Sequence, residues 1–367
     1  MTYIPRSCRK HLWIKNRNNL LKYDFPLIFF LILLSACSKE DIQIIQQSNS
    51  NKIFVTYQES KTKLPNGNSC ALIAINQHFN DSTDFGAIFG NKEHTINKNF
   101  DFQNLFLIKR IGELPNTSQS PNDTSYHYLA GHDTDYIVAM RICSESNSDG
   151  DFPDFTDKFT GGYHGYDSQT SGNYTPTMYE LNKEVFANGS IMKAGESGYY
   201  DSLKIIVRNL VQGSNTEKKD GSGRNILLQE IILKCLPNKT FNIQVNLTPL
   251  ENIRFYQVNG LCAFNDFDSI QFISSDNKSK LYPKDHVFRY QDARVDTIRQ
   301  ISENCFFDIF INPFFGIGTG IYNGNDYNAS IESANKSYFW IIDKREGLFV
   351  PQGTIFSFRG GFKLESR

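Results

Sequence analysis

From residue 53 onward the chain is a succession of short apolar stretches broken by Gly, Asn, Asp and Pro, and no segment keeps a 3.6-residue apolar period between helix caps. That punctuation limits the body to strands, which need only about four to eight residues each. Twelve stretches have this form: 53–57, 70–76, 104–111, 136–142, 202–211, 226–236, 241–247, 253–264, 269–273, 305–311, 337–342 and 354–363. The clearest pair is 226–236 and 241–247, joined by Pro237-Asn238-Lys239-Thr240, which predicts an antiparallel hairpin. So many strands without a blade-length repeat predict an all-β fold, a large antiparallel β-sandwich or supersandwich. The body spans 53–367, either as one unit or as two sub-domains with a break near 144–157 or 276–285.

Hydrophobic residues make up 40% of the 367, enough for a real core, and the net charge of −1 leaves no basic field to gather phosphate backbones. Nucleic acid is not an expected partner. The 18 Tyr and the Asn-rich surface suit a polar ligand such as a sugar, and equally suit ordinary β-rich composition.

Ahead of the body, Arg6, Arg9, Lys10, Lys15, Arg17 and Lys22 precede an apolar run from Phe25 to Leu34. The run is too short for a hydrocarbon core that takes ~20 helical residues, so it reads as a leader and not a membrane span. It closes in Leu34-Ser35-Ala36-Cys37, which resembles the lipobox of bacterial lipoproteins. The resemblance implies a signal peptide over 1–36, cut before Cys37, and lipid on the Cys37 thiol. The lipid would hold the protein on its membrane, at ~0.8 kcal/mol per buried methylene. Ser38-Lys39-Glu40-Asp41 looks like the signal that carries some lipoproteins to the outer membrane or cell surface, and 37–52 reads as a flexible tether.

Cys70, Cys143, Cys235, Cys262 and Cys305 remain in the body, an odd number without C-x-x-C spacing. Most lie in apolar runs, so buried thiols are expected, with one or two disulfides as the alternative.

The most distinctive body segment is Phe159-Thr-Gly-Gly-Tyr163-His164-Gly-Tyr166-Asp167. Glycines around one His permit positive φ and close approach to a ligand, so the turn is expected to present His164. A His-Gly turn in a large β-sandwich distantly resembles the supersandwich sugar enzymes related to aldose epimerases, and implies a His that binds or protonates a sugar oxygen. With Arg289, from a His, Arg and Tyr cluster at 282–294, His164 and Tyr166 would suit proton transfer and carboxylate neutralisation in a lyase, and they are the candidate catalytic residues. The alternative is a hydrogen-bonded glycine turn and a charged surface face.

Tyr163, His132 and Asp135 are candidate binding residues, the last two from a run of two His and two Asp over 127–135. That run matches no metal spacing, so no metal and no cofactor is expected, although a hydrolase with metal at His127, His132 and Asp135 is a further option. Asp149, Asp151, Asp154 and Asp157 form an acidic loop that is solvated or, less simply, binds calcium. No nucleophile elbow, zinc-protease helix or phosphate loop is present. The function expected is a membrane-anchored extracytoplasmic lipoprotein that binds, and in one version processes, a glycan. Its partners would be membrane lipid through Cys37 and a polysaccharide. The alternative is a non-enzymatic structural or adhesive surface lipoprotein.

Overall fold

The computed structural model describes residues 51–63, 69–79, 83–91, 106–115, 127–128, 136–137, 139–154, 156–170, 174–264, 267–274, 276, 278–283, 288–290, 295–315, 328–332 and 336–367. In chain order the strands are β1 (Ile53–Lys63), β2 (Ser69–His78), β3 (Thr83–Asn91), β4 (Phe106–Pro115), β5 (His127–Tyr128), β6 (Met140–Ser144), β7 (Gly165–Asp167), β8 (Tyr174–Pro176), β9 (Met178–Ala187), β10 (Ser190–Ile191), β11 (Ser197–Tyr200) and β12 (Leu203–Gln212). After a 3-10 turn at Ser214–Thr216 come β13 (Asn225–Leu236), β14 (Thr240–Pro249), β15 (Ile253–Phe264), β16 (Ser269–Ser274), β17 (Ser279–Pro283), β18 (Phe288–Tyr290), β19 (Val295–Ile301), β20 (Cys305–Ile311), β21 (Asn328–Glu332), β22 (Lys336–Val350) and β23 (Phe356–Ser366).

The fold is all-β and antiparallel, as the sequence predicts. A ten-stranded sheet runs β10-β9-β12-β13-β14-β23-β20-β19-β16-β17. A six-stranded sheet, β11-β1-β2-β3-β4-β5, and a five-stranded sheet, β18-β21-β22-β15-β6, cover its inner face, and β7-β8 is a separate ribbon. Phe85 and Phe89 of the six-stranded sheet meet Phe241 of β14 at 5.3 and 6.2 Å between ring centroids. On the other side, Phe255 of β15 meets Phe356 at 6.2 Å and Tyr136 meets Phe362 at 5.6 Å. Phe241 and Phe362 are register partners on β14 and β23, so one face of the large sheet supports both smaller ones. Each such fully buried ring contributes about 1.5–3 kcal/mol. Asn49–Arg367 packs as one unit.

All twelve predicted stretches overlap observed strand or bridge residues. The hairpin forms with Leu236 opposite Thr240, closed by Lys239 at φ 58°. Its tip is pinned to the six-stranded sheet, since the Lys239 N–H donates to Gln77 Oε1 at 2.7 Å. Eleven of the described strands fall outside those stretches, and the longest of them are β3, β9 and β19. Glycines interrupt the first, and charged residues interrupt the alternation of the other two.

No disulfide joins the five body cysteines, all of which are buried. Burial pushes the Cys235 thiol up, so it stays protonated beside the Gln77 amide, 3.0 Å away.

Asp84 on β3 lies 3.7 Å from His78, yet burial outweighs that neighbour and lifts the carboxyl from 3.8 to about 6. The folded state therefore holds this proton more tightly than the unfolded chain, and stability falls as pH rises from about 4 to 6. Asp84→Asn is expected to raise stability by about 1–2 kcal/mol at pH 8, after allowing for solvent screening, and by nothing at pH 4. Urea unfolding at the two pH values measures the difference, and an equal effect at both would contradict it.

Candidate functional site

The His164 turn has the predicted backbone. Gly161 and Gly162 sit at φ 79° and 54°, and the His164 N–H donates to the Gly161 carbonyl at 3.1 Å. Thr177 locks the loop: its hydroxyl donates to the His164 carbonyl at 2.7 Å, and it lies 2.9 Å from the Gly161 N–H it accepts. His164 is half-buried with its ring 5.4 Å from the Phe159 ring, over which the Arg141 guanidinium sits at 4.4 Å.

Its neighbours point elsewhere. Tyr166 is 1% exposed, its hydroxyl is buried without a hydrogen-bond partner, and burial raises it well above the usual phenol range. A ring so enclosed cannot touch a polymer, so Tyr166 is a core residue and not a catalytic one. Tyr163 is half-buried and packs on the main hydrophobic core. Beneath the turn, Glu217, 1% exposed on its side chain, pairs with Lys158 at 3.0 Å. Burial raises this carboxyl despite the lysine.

Arg289 lies on β18, opposite Ser330, in the five-stranded sheet, whereas His164 precedes the β7-β8 ribbon. Of the expected trio, His164 and Tyr166 thus stay together at the ribbon, while Arg289 belongs to another sheet. His132, Asp135 and Cys37 lie outside the described residues. His127 is on β5, opposite Glu113. Among the described residues no group of three or more His, Cys, Asp or Glu could hold a metal. In the acidic loop, Asp149 is held below the usual carboxylate range by hydrogen bonds from Arg224, 3.1 Å away, and Asp151 accepts the Lys219 N–H at 2.8 Å. These two acids anchor the loop to the 213–225 segment.

A groove lies instead on the outer face of the ten-stranded sheet. It has a volume of about 550 Å³ and is lined by Phe186, Lys204, Ile232, Lys234, Asn242, Gln244 and Arg359 among others. That volume is within the ~300–1,000 Å³ usual for ligand pockets. Strand pairing stacks its side chains in rungs. One rung runs Phe186, Lys204, Lys234, Asn242 and Gly361, and the next Glu184, Ile206, Ile232, Gln244 and Arg359. A third holds Asn182, Arg208, Glu230, Asn246 and Ser357.

Hydrogen bonds fix the polar groups of the second and third rungs in place. Arg208 donates to Glu230 at 2.8 Å and Glu184 at 3.2 Å. Asn246 donates to Glu230 at 3.0 Å and accepts from Ser357 at 2.8 Å and from Gln244 at 3.0 Å. Arg359 donates to Gln244 at 2.7 Å, and its guanidinium lies 3.7 Å from the Phe315 ring centroid. Amides and guanidinium groups are thereby held rigid beside two aromatic rings. They offer paired donors and acceptors in a partly dry groove. None of these residues stands out in the sequence, because alternating polar residues on a strand look like any solvent face.

No protein-family model matches the sequence, and no curated protein does. Solved structures similar to this chain include the galactosidase domain of alpha-galactosidase-sucrose kinase AgaSK, at 9% identity and TM-score 0.42, covering 80% of this chain and 40% of that one. The alpha-galactosidase from Lactobacillus brevis is similar at 10% identity and TM-score 0.42, covering 79% and 39%. Galactose 1-epimerase from Lactobacillus acidophilus NCFM is similar at 10% identity and TM-score 0.39, covering 85% and 98%. The chain spans about 40% of the length of the two galactosidases. At such identities no residue correspondence follows.

Proposed function

We propose that this protein is an exported lipoprotein, anchored through Cys37, that binds a glycan in the groove on the outer face of the ten-stranded sheet. The observation that carries the reading is the groove, where Asn242, Gln244 and Arg359 lie beside Phe186. Planar amide and guanidinium groups can each engage two neighbouring hydroxyls, and an aromatic ring can cover the apolar face of a sugar. Among the described residues no carboxylate, His or Tyr lines the groove to act as an acid and base pair, which favours binding over processing.

Retention on a panel of immobilised soluble polysaccharides tests the reading. At least one glycan should be retained, and Gln244→Ala with Arg359→Ala should weaken it about tenfold with the melting temperature little changed. A folded protein that retains none, or a variant that binds as well as the parent, would remove the glycan role and leave the structural alternative.

The anchor has its own test. Cys37→Ala should move the protein from the membrane to the soluble fraction and abolish labelling by a palmitate analogue. A labelled, membrane-bound Cys37→Ala protein would rule out the lipobox reading.

A further inference from the structure

We infer that the groove is built for an anionic glycan, with Lys204, Lys234 and Arg359 meeting its carboxylate or sulfate groups. The inference rests on the glycan reading above and specifies the charge of its ligand.

Lys204 and Lys234 are directly opposite each other on β12 and β13, facing the same side of the sheet. Like charges so placed repel, and a fold under no other demand has no reason to keep them paired. The third cation, Arg359, lies one rung away, and no Asp or Glu among the described residues lines the groove. Glu184, at the margin of that rung, is engaged by Arg208.

Elsewhere on this face the cations are matched. Arg208 pairs with Glu184 and Glu230, Arg299 with Asp308 and Glu365, and Lys363 with Glu365. Lys204 and Lys234 have no ion-pair partner among the described residues; Lys204 has only the Phe186 ring, 5.5 Å from its ammonium, which does not neutralise it. The chain as a whole carries −1, so the local excess is not the overspill of a basic protein. A polymer with an acid group on successive sugars would place negative charge against both lysines. Arg359 would take a second acid group by its fork of N–H donors, of which one is already given to Gln244.

The test compares the full chain, in a detergent without a sugar headgroup, on matched polymer pairs. These are polygalacturonate, alginate, hyaluronan and chondroitin sulfate, each beside its carboxyl-reduced or desulfated form. The expected result is that at least one acidic polymer binds at least about tenfold tighter than its neutral form. Lys204→Gln with Lys234→Gln should cut that binding by a similar factor. The same variant, free of ligand, should melt at or above the parent temperature, since a repulsion is removed. Neutral polymers bound as tightly as acidic ones, or acidic binding untouched by the double substitution, would overturn this inference and leave the glycan reading standing. A protein that binds neither member of any pair overturns both.

Discussion

Lys183→Met should cost about 3–5 kcal/mol of folding stability, a large share of what holds a domain together. Lys183 is 8% exposed and lies 3.0 Å from Glu180, which has no exposure at all. Glu180 also accepts from Asn91 at 3.3 Å, and Asn91 accepts the Ala71 N–H at 2.8 Å, so the pair joins the ten-stranded sheet to the six-stranded one. Lys183 completes the join by donating to the Ser69 carbonyl at 3.5 Å. Removing the ammonium takes the Lys183 charge away from an enclosed carboxylate. Adding Glu180→Gln should restore most of the loss, because a neutral amide needs no counter-ion and can still bond Asn91. Chemical unfolding of the parent and the two variants measures this. A loss below about 1 kcal/mol for Lys183→Met, or no recovery in the double variant, would mean the pair is not the tie described.

Gly361→Ala should destabilise by about 3 kcal/mol although it adds one methyl group. A Cβ at this position would stand 2.1 Å from the Phe241 carbonyl oxygen and 2.8 Å from Phe310 Cζ. The first obstacle is backbone of the neighbouring strand, which cannot swing aside as a side chain could. Relief requires β23 to part from β14 in the middle of the large sheet, beside Asn242 and the groove. Gly353→Ala is the control: nothing lies within 4 Å of its Cβ, and only its φ of 75° is penalised, at about 1–2 kcal/mol. If the two glycines respond alike in thermal melts, the close approach at Gly361 is not what matters.

The twelve stretches read as strands were legible because each is encoded locally. In β13 the residues Leu227, Ile231, Leu233 and Cys235 alternate with Glu230 and Lys234, and the Pro-Asn turn that follows admits a hairpin and little else. The His164 turn was legible in its backbone for the same reason, since two successive glycines at positive φ are a local demand. Its chemistry was not, because whether Tyr166 faces solvent or the core depends on what packs over it. Neither the pattern around Tyr166 nor its spacing from His164 carries that information.

The groove and the buried pair belong to a different order of description. Glu180 and Lys183, three apart, would face opposite sides of a regular strand. They share the inner side because Leu181 is an extra residue in β9, between Glu180 opposite Asn209 and Asn182 opposite Arg208. The groove likewise gathers Lys204, Lys234, Asn242 and Arg359 from four strands by register alone. Periodicity and turns are read within a few residues of sequence, so the chain announces its longer alternating strands, and the proposed leader rests on equally local features, without reference to the rest of the molecule. Sites assembled across a sheet depend on which strand lies beside which and in what register. Those choices are made by the burial of Phe85, Phe241, Phe362 and their neighbours in a common core, and no stretch of the chain contains them by itself.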